Sequence, residues 1–267
     1  MSWKRTLNTR LEQATGYTVV RADRSAPRPP QPPPQPPARP RRRRLPAHFD
    51  QEARETIRVV KPRTMTASDK LYGLILATRY VVDHAIPGAI VECGVWRGGS
   101  MQAVARTLLA RGVTDRDLHL FDTFEGMPPP TERDRRPDGR LAADMLANRA
   151  KTGKVWAVAS LDDVRAGMAE TGYPASHVHF HKGLVEETVP AGAPAEIAIL
   201  RLDTDWYEST RHELEHLYDR VPSGGVLIFD DYGFWQGARQ AVDEFLDRTG
   251  ARLLLLPLAS GRIAVKP

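Results

Sequence analysis

Ala89-Ile90-Val91-Glu92-Cys93-Gly94-Val95-Trp96-Arg97-Gly98-Gly99-Ser100 is the stretch from which the fold can be read. A short apolar run stops at a glycine, turns through a Gly-Gly-Ser step and passes into a helical pattern: a buried strand, a tight turn and a helix start. Glycines at a strand-to-helix turn let the backbone approach a ligand closely, and the helix N-terminus presents free N–H donors. The spacing is not G-x-G-x-x-G, because only one glycine precedes the Gly98-Gly99 pair, so a pyrophosphate cradle is the poorer reading. An acidic residue two before the first glycine suits a ligand with a cationic end. The alternative is a βα turn that holds nothing.

Outward from this stretch, short apolar runs alternate with helical patterns from about Asp50 onward, which predicts a parallel sheet with crossover helices. The spacing of Leu71, Leu74, Ile75 and Thr78 predicts a helix over 68–85, with Ser68 or Asp69 as its N-cap. Further helices are expected over 100–110, 141–151, 161–171, 207–219 and 237–249. Strands are expected at Leu118–Asp122, Val178–His181, Ile197–Asp203 and Gly225–Asp230. Two closing strands, Arg252–Leu256 and Arg262–Lys266, are joined by Pro-Leu-Ala-Ser-Gly, short enough for a hairpin. The predicted fold is therefore α/β: a doubly wound, Rossmann-like sheet, mostly parallel, with a C-terminal antiparallel hairpin.

Before this domain, assigned to residues 50–267, lie a short leader (1–24) and a linker (25–46). The leader carries Leu7, Leu11 and Ala14 at helical spacing and a strand-like Tyr17–Val20. The linker holds ten prolines between Pro27 and Pro46, so it reads as polyproline II or disordered chain. Arg21–Pro46 carries +7 of a net charge of +5, leaving about −2 for the remainder. A nucleic-acid-binding fold would carry its basic patch on the folded face, so that function is excluded. No apolar run approaches the ~18 residues of a membrane span, and the N-terminus has no apolar secretory core. Cys93 is the sole cysteine, which excludes an internal disulfide framework or a thiolate zinc cluster. A cytoplasmic enzyme fits.

Asp122 ends the second strand, 28 residues after Gly94. An acidic residue there accepts hydrogen bonds from ribose hydroxyls of an adenosine, or else caps the Thr123-Phe124-Glu125-Gly126 turn. Leu202-Asp203-Thr204-Asp205 and Phe229-Asp230-Asp231 stand at the carboxyl ends of two strands separated by one helix crossover. That makes the strands neighbours and brings up to three carboxylates to the ligand-binding edge. Carboxylates without imidazole or thiol point to Mg²⁺, with Mn²⁺ or Ca²⁺ as variants. Neutralisation by Arg201 and Arg239 is the competing explanation, and Asp205 is the weakest member of the set. His177, His179 and His181 alternate along one strand face; the reading taken is a strand edge near the surface rather than a ligand set. Trp206, Tyr207, Tyr232 and Trp235 follow the Asp clusters and either wall a substrate pocket or pack in the core.

Four segments, Val91–Ser100, Phe121–Pro128, Leu200–Thr210 and Pro222–Gly233, together resemble the macrocin/mycinamicin-type sugar O-methyltransferases in order and spacing over about residues 60–267. The resemblance implies a class I, S-adenosyl-L-methionine-dependent, Mg²⁺-dependent enzyme acting on a sugar or glycosylated natural product. It implies Asp203, Asp230 and Asp231 as metal ligands, with Asp203 also as a proton acceptor. It places Thr64, Met65, Glu92, Cys93, Gly94, Val95, Trp96, Asp122, Thr123, Gly126 and Ser160 at the cofactor, residues 127–150 in a lid over the substrate, and the chain in a homo-oligomer. Some members have a histidine base in the lid; here no histidine lies between His119 and His177, so that role is unassigned. A catechol-like phenol would satisfy the same chemistry. A reading from another class makes the Pro/Arg tract the working part of an interaction protein.

Overall fold

The computed structural model describes residues 3–18, 45–147 and 156–267. The chain divides into two units, Met1–Arg44 and Leu45–Pro267. In the first, helix α1 (Trp3–Thr15) covers the helical spacing expected of the leader, with Leu7 exposed. The Pro/Arg tract up to Arg44, and Val19-Val20 of the expected extended stretch, fall outside the described residues.

The second unit is built on a seven-stranded sheet of order β3-β2-β1-β4-β5-β7-β6. Its strands are β1 (Ala89–Cys93), β2 (Leu118–Asp122), β3 (Val178–Lys182), β4 (Ile197–Leu202), β5 (Val226–Phe229), β6 (Leu256–Leu258) and β7 (Gly261–Val265). β1 to β5 run parallel and β7 pairs antiparallel with β5 and β6. Every residue of β1, β4 and β5 is buried, as a parallel sheet covered on both faces demands.

Helices α2 (Gln51–Val60), α3 (Ser68–Asp83), α4 (Gly99–Ala110), α5 (Ala142–Ala147) and α6 (Leu161–Ala169) precede β3. α7 (Val185–Thr188), α8 (Tyr207–Leu217) and α9 (Gln236–Thr249) follow it. α3, α4 and α6 pack one sheet face through Leu74, Val104, Leu108 and Val164 against Ile90, Leu120 and Ile199. α8 and α9 cover the other through Leu214, Leu217, Val242 and Phe245 against Val91, Cys93, Leu200 and Phe229. The period of two along a strand thus sends Glu92 and Arg201 toward α3 and Cys93 toward α8. No helix among the described residues is long and apolar enough to cross a membrane.

Four local expectations need correction. α2 carries Ala53, Thr56, Ile57 and Val60 on its buried face, with the Asp50 carboxylate accepting from Ala53 N; the sequence reading assigned no helix there. α3 begins one residue earlier than expected: Ala67 stands at the N-cap position with no side-chain cap, and Ser68 and Asp69 lie in the first turn. The first closing strand lies at Leu256–Leu258 rather than 252–256, and the hairpin turns on Ala259-Ser260. Pro257 is accommodated because β6 is an edge strand. His177 closes a 3-10 turn (Ala175–His177) instead of sitting in β3. On the α7 side of that outer edge, burial and the neighbouring histidines push His119 down to about 4.

Candidate active site

A cavity of about 560 Å³ opens over the carboxyl ends of β1, β2, β4 and β5. On the β1 side the backbone shapes it. Gly94 has φ +86°, and a Cβ there would meet the Asp203 carbonyl oxygen at 2.1 Å, so only glycine fits. The turn after it is held by Asp122: Oδ2 accepts from Val95 N (2.7 Å) and Trp96 N (2.9 Å), and Oδ1 from Phe124 N (2.7 Å). Asp122 therefore caps both its own turn and the turn of β1. Burial raises its pKa, against the pull of these three N–H donors.

On the β4–β5 side, side-chain charge shapes the cavity. Arg201, almost fully buried, spans Glu92, Asp203 Oδ2 (2.7 Å), Asp230 Oδ1 (2.6 Å) and the Thr66 hydroxyl (3.1 Å). Lys70, from the first turn of α3, donates to Asp230 Oδ2 (2.5 Å) and to the Asp230 carbonyl (2.7 Å). Arg239 turns away to Asp243 and takes no part. The neutralising pair is thus Arg201 and Lys70, and only the first was foreseen. Lys70 had a signal: a lysine directly before Leu71 in a helix whose following residues are apolar.

The carboxyl groups here outnumber these two cations. Oxygens of Asp203, Asp230 and Asp231 lie within 4.8 Å of one another, with Glu92 and Asp205 adjoining. Burial pushes Asp203 and Asp231 well above the carboxylate range and Asp205 up to about 7. Burial acts on Asp230 in the same direction, but Arg201 and Lys70 outweigh it and hold that carboxyl low. Asp231 Oδ2 is buried with no hydrogen-bond partner. A buried carboxylate oxygen left unpaired is costly, and a hard cation in an all-oxygen cluster would satisfy it.

Of the residues expected at the cofactor, Thr64, Met65, Gly94, Val95, Trp96, Asp122, Thr123 and Gly126 line the cavity. Three do not. Glu92 is turned to its cross-strand partner Arg201, Cys93 faces the α8 side with its thiol pushed up by burial, and Ser160 caps α6 by accepting from Asp163 N. The aromatic set divides as well. Trp206 and Trp235 line the cavity edge to face, with ring centroids 5.0 Å apart. Tyr207 and Tyr232 point elsewhere, to Glu244 and Asp243.

The described part of the 127–150 segment contributes Met127, Pro128, Arg136 and Met145 to the cavity. It is anchored by Asp134, whose Oδ1 accepts from Tyr207 N at the start of α8 (2.8 Å), and by Trp206 Nε1 donating to the Pro128 carbonyl (3.0 Å). Asp134, fully buried, had no assigned role in the sequence reading.

The sequence profile of the family described as Macrocin-O-methyltransferase (TylF) matches residues 37–255. The chain belongs to this family. Its relatives include the 8-demethyl-8-(2,3-dimethoxy-alpha-L-rhamnosyl)-tetracenomycin-C 4'-O-methyltransferase of Streptomyces olivaceus, 35% identical over 70% of this chain and 69% of the relative. Mycinamicin III 3''-O-methyltransferase of Micromonospora griseorubida is 32% identical over 76% of this chain and 79% of its own. Among solved structures, the O-methyltransferase NovP superposes with a TM-score of 0.67 at 30% identity, covering 76% of this chain and 82% of NovP. The family member described here is an S-adenosylmethionine-dependent O-methyltransferase with the class I fold.

Proposed function

We propose that this methyltransferase modifies a hydroxyl of a sugar or glycosylated natural product, with Mg²⁺ held by Asp203, Asp230 and Asp231. The observation that carries the metal is the unpaired Asp231 oxygen within a cluster of three converging carboxyl groups, of which Arg201 and Lys70 hold only Asp230 low while burial raises the other two. The glycoside half of the proposal draws on the relatives, whose names specify rhamnosyl-tetracenomycin and mycinamicin substrates, and on the Trp206–Trp235 wall beside the acids.

Methyl transfer requires nucleophile, carbon and sulfur in line, so orientation supplies much of the rate. The turn Gly94–Trp96, set by Asp122, and the segment Thr64-Met65 that leads into α3 would grip the cofactor, with Thr123 and Gly126 closing the far side. Asp203, Asp230 and Asp231 would hold the metal, which would supply the Lewis acidity that lowers the pKa of the attacking hydroxyl. Asp203, the most open of the three ligands at 23% side-chain exposure, is the carboxylate nearest to hand for the departing proton. Arg201 and Lys70 keep the acids fixed between turnovers. The lid residues Met127, Pro128 and Met145 would exclude water from the transfer. Association into a homo-oligomer, carried over from the family, and a cytoplasmic location, expected from the sequence, belong to the same proposal.

The test is a methyl-transfer screen across glycosides, polyols and catechols, with Mg²⁺ and after chelation. Glycosides should be methylated, and chelation should abolish turnover. A full rate in chelator would end the metal reading, and methylation of catechols alone would end the sugar reading.

A further inference from the structure

The outer edge of the sheet carries a second constellation, remote in kind from the carboxylate cluster. Asp117, just before β2, accepts at Oδ1 from His177 Nδ1 (2.8 Å) and contacts His179 Nε2 (3.0 Å). His119, in register with His179 on the adjacent strand, lies with its ring 4.6 Å from that ring, and its Nδ1 is 3.0 Å from His181 Nε2. Donor atoms of Asp117, His119 and His179 all fall within 4.8 Å of one another. Along β3 alone the alternation suggested no more than a surface edge. The parallel pairing of β2 with β3 adds what β3 lacked, a carboxylate and a facing imidazole from another segment.

We propose that Asp117, His119 and His179 form a binding site for a borderline divalent ion, Zn²⁺ above all, with His181 or His177 completing the set. Two imidazoles and a carboxylate suit Zn²⁺ and suit Mg²⁺ poorly, the opposite of the preference of the all-oxygen cluster. Neighbouring ligands of a tetrahedral Zn²⁺, with bonds of about 2.0–2.2 Å, stand roughly 3.3 Å apart. The Asp117–His179 separation is already close to that. The side chains of His177, His179 and Asp117 are 33%, 38% and 47% exposed, so an ion can reach them and the rings have room to turn. The ion would tie β3 to β2. β3 leads through Lys182 to Leu184, Val185 and Glu186 of the cavity wall, so the bridge would stiffen one side of the pocket.

The experiment uses the full chain without an affinity-tag histidine run, stripped with chelator, then titrated calorimetrically with Zn²⁺ in excess Mg²⁺. One equivalent is expected to bind, and H179Q and H119Q should each weaken it by roughly tenfold or more. H216Q removes one member of the His212–His216 pair on α8 and should change nothing. Equal Zn²⁺ affinity in wild type and H179Q overturns the proposal, and so does loss of binding in H216Q. Should H119Q fail to fold, Co²⁺ supplies the second reading. Wild type should give tetrahedral d–d absorption that D117N abolishes; a wild-type spectrum of hydrated Co²⁺ overturns the proposal.

Discussion

The two halves of the cavity achieve shape by different means. The β1–β2 half is built from backbone: positive φ at Gly94, Trp96 and Gly98, with Asp122 gathering three N–H groups. The β4–β5 half is built from side-chain charge, with Arg201 and Lys70 inside a ring of acids. Backbone shape is encoded within a few residues of itself, whereas charge balance draws on segments far apart in sequence: Lys70 meets Asp230 across 160 positions. Mutations in the first half should therefore act through geometry and cofactor affinity, and those in the second through metal and chemistry.

The place where the halves touch gives the largest effect. Gly94 lies against the Asp203 carbonyl, and Asp203 N donates to the Cys93 carbonyl at 2.8 Å. Gly94→Ala adds left-handed strain to a direct overlap, together about 3 kcal/mol or more. The lower urea midpoint should come with loss of both cofactor and metal binding. If only one binding function suffers, the halves are more independent than the contact implies. Asp230→Asn should be more selective. It keeps the shape but loses the charge that Lys70, Arg201 and a cation share, and turnover should fall by roughly a hundredfold. S-adenosylmethionine affinity, read by calorimetry, should stay within about threefold, because no β1–β2 group is touched. Asp122→Asn should give the converse. An amide brings an N–H₂ toward backbone donors that need acceptors, so the KM for the cofactor should rise about tenfold with kcat little changed.

The same contrast decides how much could be read from sequence. β1, β2 and β4 stand almost where their apolar runs predict, and the carboxyl groups of Asp203, Asp230 and Asp231 do converge, because β4 and β5, joined by a single helix crossover, lie side by side. Burial and side-chain facing were harder. Glu92 looks like a free acid beside a glycine turn, and only the β1–β4 register reveals Arg201 opposite it. Trp206 and Trp235 enter the cavity while Tyr207 and Tyr232 leave it, a division set by where each loop meets its helix rather than by residue type. Asp134 gives no sequence signal, since its value lies in capping an α8 turn 73 residues away. The signal for α2 does stand in the sequence: Asp50 with Ala53, Thr56, Ile57 and Val60 is a cap followed by a buried helix face.

The smallest effect concerns Glu92, which belongs to β1 by sequence and to the acidic half by charge. Burial raises it from 4.5 to about 7 even though Arg201 lies beside it. Between those values the folded chain holds a proton that the unfolded chain has released, so this group's contribution to stability falls as pH rises from 4.5 to 7. His119, lowered to about 4, acts with the opposite sign over much of that range, so the wild-type curve alone is ambiguous. Comparison with Glu92→Gln removes the ambiguity, because His119 contributes equally to both proteins. In the absence of metal, the Tm of wild type relative to Glu92→Gln should fall by about a few degrees from pH 4.5 to 7 and then level off. A gap that stays flat would mean Glu92 is ionised throughout and fully paired with Arg201. In that case Arg201 has less positive charge left for Asp203 and Asp230, and the requirement for an added cation grows.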